Sequence, residues 1–190
     1  MIAYLDGKLV EKTPTFLVVD VNGVGYHVHV SLNTFSALGS VDKAKIFIHQ
    51  VIREDAHLLF GFATDDERTV FKSLLSVNGV GPNTARMILS SLTHSEVLLA
   101  ISQGNVAAFK RIKGIGEKTA QRILVDLAGK MGKSGDSGTK STSPVMAEAL
   151  SALLTLGFEK NTIEKTLDKI VASDNNLTVE QLIKAALKNM

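Results

Sequence analysis

Apolar and polar positions alternate with a period of two in the first third of the chain. Residues 15–21 and 24–30 are two such runs, and Asn22-Gly23 lies between them. Asn-Gly between β-rich runs is a strong hairpin signal, because both residues accept the positive φ that a tight turn needs. Residues 44–52 and 57–62 predict a further pair of strands. Five or six short strands in about 63 residues predict a small closed barrel, with an OB-like fold as the leading candidate.

The apolar period changes from two to 3.6 at Thr64. Residues 64–67 read Thr-Asp-Asp-Glu, the form of a capping box, and open a helix through Val70, Phe71 and Leu74. Acidic residues stabilise a helix start by complementing its dipole, so we interpret them as a cap rather than as a catalytic carboxylate cluster. We expect helical structure from here to about Met131.

A segment without apolar residues follows, at positions 132–143, and predicts a flexible linker. Its Gly-Lys-Ser triplet is similar to part of a phosphate-binding P-loop, but the first glycine of that motif would fall at Leu127, so no nucleotide hydrolysis is expected. Helical periodicity returns in residues 146–156, 162–171 and 178–187, which predict a three-helix bundle. Such small modules more often dock partners than perform chemistry. The predicted domains are 1–63, 64–131 and 144–190, with the linker at 132–143.

The helical segment contains a seventeen-residue sequence repeat, with one copy at residues 76–92 and a similar copy at residues 111–127. Gly79 and Gly81 match Gly114 and Gly116 at an offset of 35 residues. This is the pattern of a duplicated helix-hairpin-helix unit. A single Gly-x-Gly turn is as consistent with a simple C-terminal cap. Two matched copies favour phosphate binding, because N–H groups at the turn and at the next helix start lack intrahelical partners.

The residues around the two turns supply the candidate DNA contacts. Val80 and Ile115 should turn inward and pin each hairpin, while the glycines leave room for a phosphodiester. Contacts of this kind carry no sequence information and weaken with salt. Asn83 occupies the position in the first copy that Lys118 occupies in the second. Glu117 would oppose a phosphate if its side chain points outward. The predicted DNA-binding residues are Gly79, Val80, Gly81, Asn83, Thr84, Arg86, Gly114, Ile115, Gly116, Lys118, Thr119 and Arg122.

Charge and composition narrow the function classes. The net charge is only +2, yet residues 68–133 carry ten Lys or Arg against three acids, while the flanking segments are near neutral. A local positive patch predicts contact with a polyanion. With no cysteine and five scattered histidines, we expect no disulfide, metal or cofactor. Apolar runs are too short for a membrane span and no signal pattern opens the chain, so we expect a cytoplasmic protein.

Glu54-Asp55 lies at the predicted tip of the second pair of strands. Such a pair is usually a solvated turn. Beside tandem phosphate-binding hairpins, however, adjacent carboxylates would repel DNA and could bar or divide a duplex. They are poor candidates for catalytic metal ligands, because no further acids accompany them in the strand pattern.

Taken together, these motifs resemble the RuvA family of Holliday-junction branch-migration proteins over nearly the whole chain. The resemblance is carried by the opening MIAYLDGKLVEK, residues 23–26, residues 53–56 running into 59–62, residues 78–82, and 114–116 followed by Lys118-Thr119-Ala120. It implies an α+β multidomain protein with an N-terminal OB-fold barrel, a central tandem helix-hairpin-helix domain and a C-terminal three-helix, UBA-like bundle.

The resemblance also implies a function and partners. The first two domains would form a homotetramer, alone or as two facing tetramers, that holds a four-way junction open. Glu54 and Asp55 would form an acidic pin at its centre. Residues 144–190 would dock the RuvB ATPase, and the RuvC resolvase would share the complex, in recombination, repair and the SOS response to DNA damage. The chain itself would be a non-catalytic DNA-binding subunit.

Two other classes stay open at this point. A DNA-repair enzyme that uses helix-hairpin-helix units for positioning would need a catalytic Lys or Asp soon after a hairpin, or a metal-binding cluster of carboxylates. Asp126 is the only acid beyond Glu117 in the helix after the second hairpin, and no partner accompanies it. A single-strand-binding OB protein should offer several aromatic residues for base stacking. The chain has eight Phe, two Tyr and no Trp, mostly at core-like positions.

Overall fold

The computed structural model describes residues 1–135, 144–173 and 177–189. The chain divides into two compact units, Met1–Asp136 and Ser137–Met190. In the described part of the chain, no helix is both long and apolar enough to cross a bilayer.

The first unit begins with a closed five-stranded barrel, as the alternating pattern predicted. Its strands are β1 (Tyr4–Lys12), β2 (Phe16–Val21), β3 (Val24–Val30), β4 (Lys43–Ile52) and β5 (His57–Phe62). They close in the order β1-β2-β3-β5-β4, with β3 and β5 parallel and the other pairs antiparallel. The predicted Asn-Gly turn is present, because Asn22 and Gly23 have φ of 53° and 88°.

A short helix, α1 (Leu32–Leu38), lies between β3 and β4 and was not predicted. Ser31 caps it, and the Ser31 side chain accepts a hydrogen bond from the Thr34 N–H. At seven residues, this helix is too short to give a distinct period in the apolar pattern.

Five helices complete the first unit. They are α2 (Asp65–Leu75), α3 (Pro82–Ser91), α4 (His94–Ser102), α5 (Val106–Lys110) and α6 (Glu117–Gly135). Helix α6 continues four residues past Met131, so residues 132–135 of the predicted linker are helical. Helix ends are the least certain feature of a sequence pattern, and a polar surface helix gives no apolar signal at its last turn. The rest of that linker, 136–143, lies outside the described residues, and the predicted domain boundaries stay predictions.

Thr64 caps α2 as predicted, but Glu67 does not complete the capping box. The Thr64 hydroxyl accepts from the Glu67 N–H at 3.2 Å. The Glu67 carboxylate is buried and instead accepts from the hydroxyls of Ser31 (2.8 Å) and Thr34 (2.6 Å) and from the Ala63 N–H (3.2 Å). A buried carboxylate needs several donors, and α1 supplies two of them. Glu67 therefore joins α1 to α2.

The second unit contains three helices in its described residues, as predicted. They are α7 (Pro144–Thr155), α8 (Lys160–Ser173) and α9 (Val179–Lys188). Their core consists of Ala149, Leu153, Ile163, Leu167, Leu182 and Ala186. Gly157, with φ of 94°, turns the chain between α7 and α8.

Candidate nucleic-acid interface

The two copies of the sequence repeat form turns with the same backbone hydrogen bonds. In the first hairpin, residues 76–81, Val80 N–H donates to Val77 O at 3.1 Å and Ala85 N–H donates to Gly81 O at 2.9 Å. In the second, residues 111–116, the matching bonds join Ile115 to Ile112 at 3.1 Å and Ala120 to Gly116 at 2.9 Å. The sequence repeat is therefore a repeat of structure, and both turns end at the start of a helix.

The first glycine of each pair is required by the backbone. Gly79 and Gly114 have φ of 90° and 87°, a conformation that other residues adopt only with strain. Substituting either residue would change the turn itself.

The second glycine of each pair is not required by the fold. Gly81 has φ of −87°, and Gly116 also lies outside the left-handed region. A Cβ added at either would meet no atom of the described residues within 4 Å. Space in front of the backbone at the start of α3 and of α6 is what a closely approaching phosphate needs.

Val80 and Ile115 turn inward, as expected from their place between the glycines. Their side chains are 5% and 6% exposed and belong to the helical core. Their N–H groups already donate within the turn. Both residues therefore fix the hairpins, and the DNA contact predicted for them stays a prediction.

The first turns of the following helices present the remaining backbone donors. Gly81 caps α3 without any side-chain hydrogen bond, so the N–H groups of Asn83 and Thr84 have no intrahelical acceptor. The matching positions at α6 are Lys118 and Thr119. Asn83 and Lys118 are exposed, while Thr84 and Thr119 are half-buried.

Positive charge is concentrated at the second hairpin. The exposed cations there include Lys110, Arg111 and Lys113 before the turn and Lys118 after it. None of the first three was among the predicted DNA-binding residues. The sequence did contain a signal for these three cations, because they lie beside or within the second copy of the repeat. The matching positions of the first copy are the uncharged Leu75, Ser76 and Asn78.

Arg86 is directed at the barrel rather than standing free beside the first hairpin. Its Nη1 donates to Thr15 O at 3.2 Å and lies 3.4 Å from His29 Nδ1. Burial lowers the pKa of Arg86. Burial, then the charges of Arg86 and His27, lower the pKa of His29, so a neutral imidazole accepts this bond. Arg86 thus ties α3 to β2 and β3, and the phosphate contact predicted for it stays untested.

Arg122 joins the two hairpins. It lies on α6, after the second hairpin, yet its Nη1 donates to Asn78 O in the first hairpin at 3.4 Å. The side chain is exposed. The two hairpin turns are therefore neighbours on one surface.

Glu54 and Asp55 are exposed at the tip of the β4–β5 hairpin, as predicted. The turn is closed by Arg53 N–H donating to Ala56 O at 2.8 Å. The carboxylates therefore extend from a short, closed turn at the end of two barrel strands.

The strands that carry this acidic tip share a core with the helices. Phe60 and Phe62 of β5 pack on Phe71 of α2, with ring centroids 5.3 and 4.9 Å apart. Helix α2 runs directly into the first hairpin. The acidic tip and the hairpins therefore belong to one packed body.

Polar contacts from α1 reinforce this connection. Asn33 Nδ2 donates to Leu89 O at 2.7 Å, and Leu32 N–H donates to Ser90 Oγ at 3.1 Å. With the Glu67 network, these bonds hold the barrel against α2 and α3. Their sequence separations of 33 to 58 residues explain why no local motif predicted them.

Three family models match the chain. The RuvA N terminal domain matches residues 1–61, a SAM-like helix-hairpin-helix tandem matches 71–128, and the RuvA C-terminal domain matches 144–190. These ranges cover the barrel, both hairpins and the three-helix unit.

Curated relatives match over their full length. Proteins named Holliday junction branch migration complex subunit RuvA are 49% identical in Flavobacterium psychrophilum (193 residues, 100% of both chains) and 50% in Parabacteroides distasonis (194 residues, 99% of both). The protein of that name from Cytophaga hutchinsonii is 47% identical over 197 residues, 99% of both chains.

Proposed function

This chain belongs to the RuvA family, and from that membership we propose that it binds a four-way DNA junction, holds it open and recruits a RuvB ATPase for branch migration. The observation that carries the proposal is the pair of matched hairpins, whose second glycines leave open space before the backbone at a helix start. Two such turns on one surface fit two phosphates of a DNA backbone.

We infer that the junction is held by several copies of the chain. One copy presents one acidic tip and one pair of hairpins, whereas a four-way junction has four arms. A homotetramer gives each arm a pair of hairpins and brings four acidic tips towards the crossover. Either one tetramer or two facing tetramers satisfies this arrangement. The protein would act in the cytoplasm, with its DNA.

Residues 144–190 would recruit the motor, and the RuvC resolvase would join the same complex. The second unit exposes large apolar side chains, and three of them lie within one five-residue stretch: Leu154, Leu156 and Phe158. Exposed apolar groups of this size on a small bundle support a docking role.

We propose that the chain itself performs no catalysis. The competing proposal is a DNA-repair enzyme that uses helix-hairpin-helix units for positioning. The curated relatives are named as subunits of a branch migration complex, which favours the junction-binding role over the repair enzyme.

The acidic tip is tested by a double substitution, Glu54→Gln with Asp55→Asn. We expect junction affinity to change by less than about threefold, because binding rests on the hairpins, and duplex affinity to rise because fewer charges repel a continuous duplex. Gel shifts on a four-way junction and a linear duplex measure both affinities.

The matched control is Glu11→Gln with Asp42→Asn, which removes two exposed acids from the same barrel. Selectivity should fall only in the tip variant. Loss of junction binding by the tip variant would show that Glu54 and Asp55 support the fold of the β4–β5 hairpin rather than discriminate between DNA structures. An equal loss of selectivity in the control would show that the effect comes from the net charge of the protein rather than from the position of Glu54 and Asp55.

A further inference from the structure

The second hairpin contains an acid–base pair that the first hairpin lacks. Glu117 is the first residue of α6, and its Oε2 lies 3.1 Å from Nζ of Lys110, the last residue of α5. The two side chains therefore contact each other from opposite ends of the second hairpin. The matching positions in the first hairpin are Leu75 and Pro82, which carry no charge.

The Glu117 carboxylate occupies a place that favours a phosphate. The start of a helix attracts negative charge, whether it comes from a side chain or from a ligand. Among the described residues, Glu117 accepts no hydrogen bond from a hydroxyl or a backbone N–H, and its partner is Lys110. The Glu117 carboxylate therefore places a permanent negative charge beside the open space at Gly116.

The pair also lowers the positive charge available to DNA. Of the exposed cations around this hairpin, Lys110 is the one whose ammonium is neutralised by a carboxylate within 4 Å in the described structure. Both members remain about half exposed, at 45% and 61% of their side-chain surface. An exposed pair of this kind is weak and separates easily when a competing anion arrives.

We propose that Glu117 limits the affinity of the second hairpin for DNA by holding Lys110 and by repelling the incoming phosphate. This inference rests on the proposed function and adds a reason for the imbalance between the hairpins. A motor that pulls duplex arms through the complex needs phosphate contacts that release at each step. Glu117 keeps the more basic hairpin from holding the backbone too tightly.

The test is Glu117→Gln in the full-length protein, measured on a linear duplex and on a four-way junction in EDTA. Glutamine keeps the size of the side chain and removes its charge. We expect duplex affinity to rise about threefold to tenfold at low salt, with a steeper decline of log K against log salt, because each subunit gains up to about one phosphate contact. We also expect ATP-driven branch migration with a RuvB ATPase to slow, because release becomes harder.

The control is Asp126→Asn, which removes a half-buried carboxylate nine residues further along the same helix. It should change neither the duplex affinity nor the salt dependence. A double variant, Lys110→Ala with Glu117→Gln, should keep only part of the gain, because relief of repulsion remains while the freed lysine is gone.

Each outcome bears on a different claim. Unchanged or weaker duplex binding by Glu117→Gln overturns the inference, as does an equal gain in Asp126→Asn. Tighter binding with undiminished migration refutes the release argument. Failure of the wild-type protein to prefer the junction would instead count against the proposed function, since the duplex measurement of Glu117 does not depend on that preference.

Discussion

Replacing Gly81 and Gly116 together by valine should abolish tight junction binding while leaving the fold intact. Both positions face open space, Gly81 has φ of −87° and Gly116 lies outside the left-handed region, so the new side chains should cause no clash within the first unit. They would, however, fill the space that a phosphate needs at the start of α3 and of α6. Losing two charge-assisted backbone contacts per subunit should weaken binding by about 100-fold or more.

The measurements are the dissociation constant for a four-way junction and the thermal unfolding midpoint of the same sample. Valine is a poorer helix cap than glycine, so we expect a cost of about 1 kcal/mol per helix in unfolding free energy. Thr93→Val is the matched control, because it removes the capping box of α4 in the same unit without touching a hairpin. It removes one cap rather than two, so it should lower stability by about half as much and leave binding unchanged. Normal junction binding by a folded Gly81→Val, Gly116→Val protein would exclude the hairpins as the phosphate site.

Removing residues 144–190 should separate DNA binding from motor recruitment. The hairpins and the acidic tip lie in the first unit, which has its own apolar cores in the barrel and among the helices. Junction affinity should therefore stay within about twofold of the full-length value, since no phosphate-binding group is lost. Branch migration driven by a RuvB ATPase should fall to the background rate.

A point variant tests the same claim without shortening the chain. Leu156→Ser with Phe158→Ser removes two exposed apolar groups that lie outside the core of the three-helix unit. It should impair migration and leave junction binding unchanged, whereas Glu148→Gln, at an exposed position of α7, should impair neither. Motor-driven migration that persists after the truncation would contradict a docking role for this unit.

The sequence predicted most of the architecture because the relevant signals are local. The Asn22-Gly23 turn, the capping residue Thr64 and the repeated glycines each act over a few residues, and all are present in the structure. The period-two and helical patterns likewise depend on near neighbours. These features fixed the barrel, the hairpins and the three-helix unit.

The contacts that join the elements could not be read from local pattern. Arg86 meets Thr15, 71 residues away in the sequence, and was assigned only to DNA. Glu67 fitted a capping box, yet burial against α1 gave its carboxylate other donors. In both cases a tertiary partner outside the local window competes with the partner that a motif implies.

The two hairpin positions that the sequence marked as unequal have different surroundings. Asn83 stands exposed where the second copy has Lys118, so the first hairpin can offer its backbone and an amide rather than a positive charge. The sequence predicted that Glu117 would oppose a phosphate if its side chain points outward, and the side chain is exposed. Its pairing with Lys110 was not foreseen, because those residues belong to different helices.

A competitive gel shift in EDTA measures the selectivity of the protein for a four-way junction over linear DNA. A labelled four-way junction is bound by the wild-type protein, and unlabelled junction, linear duplex and single strand of the same sequence compete for it. We expect the junction to compete at least about 100-fold better than either linear form, a difference of about 2.8 kcal/mol. Equal competition by all three DNAs would contradict it.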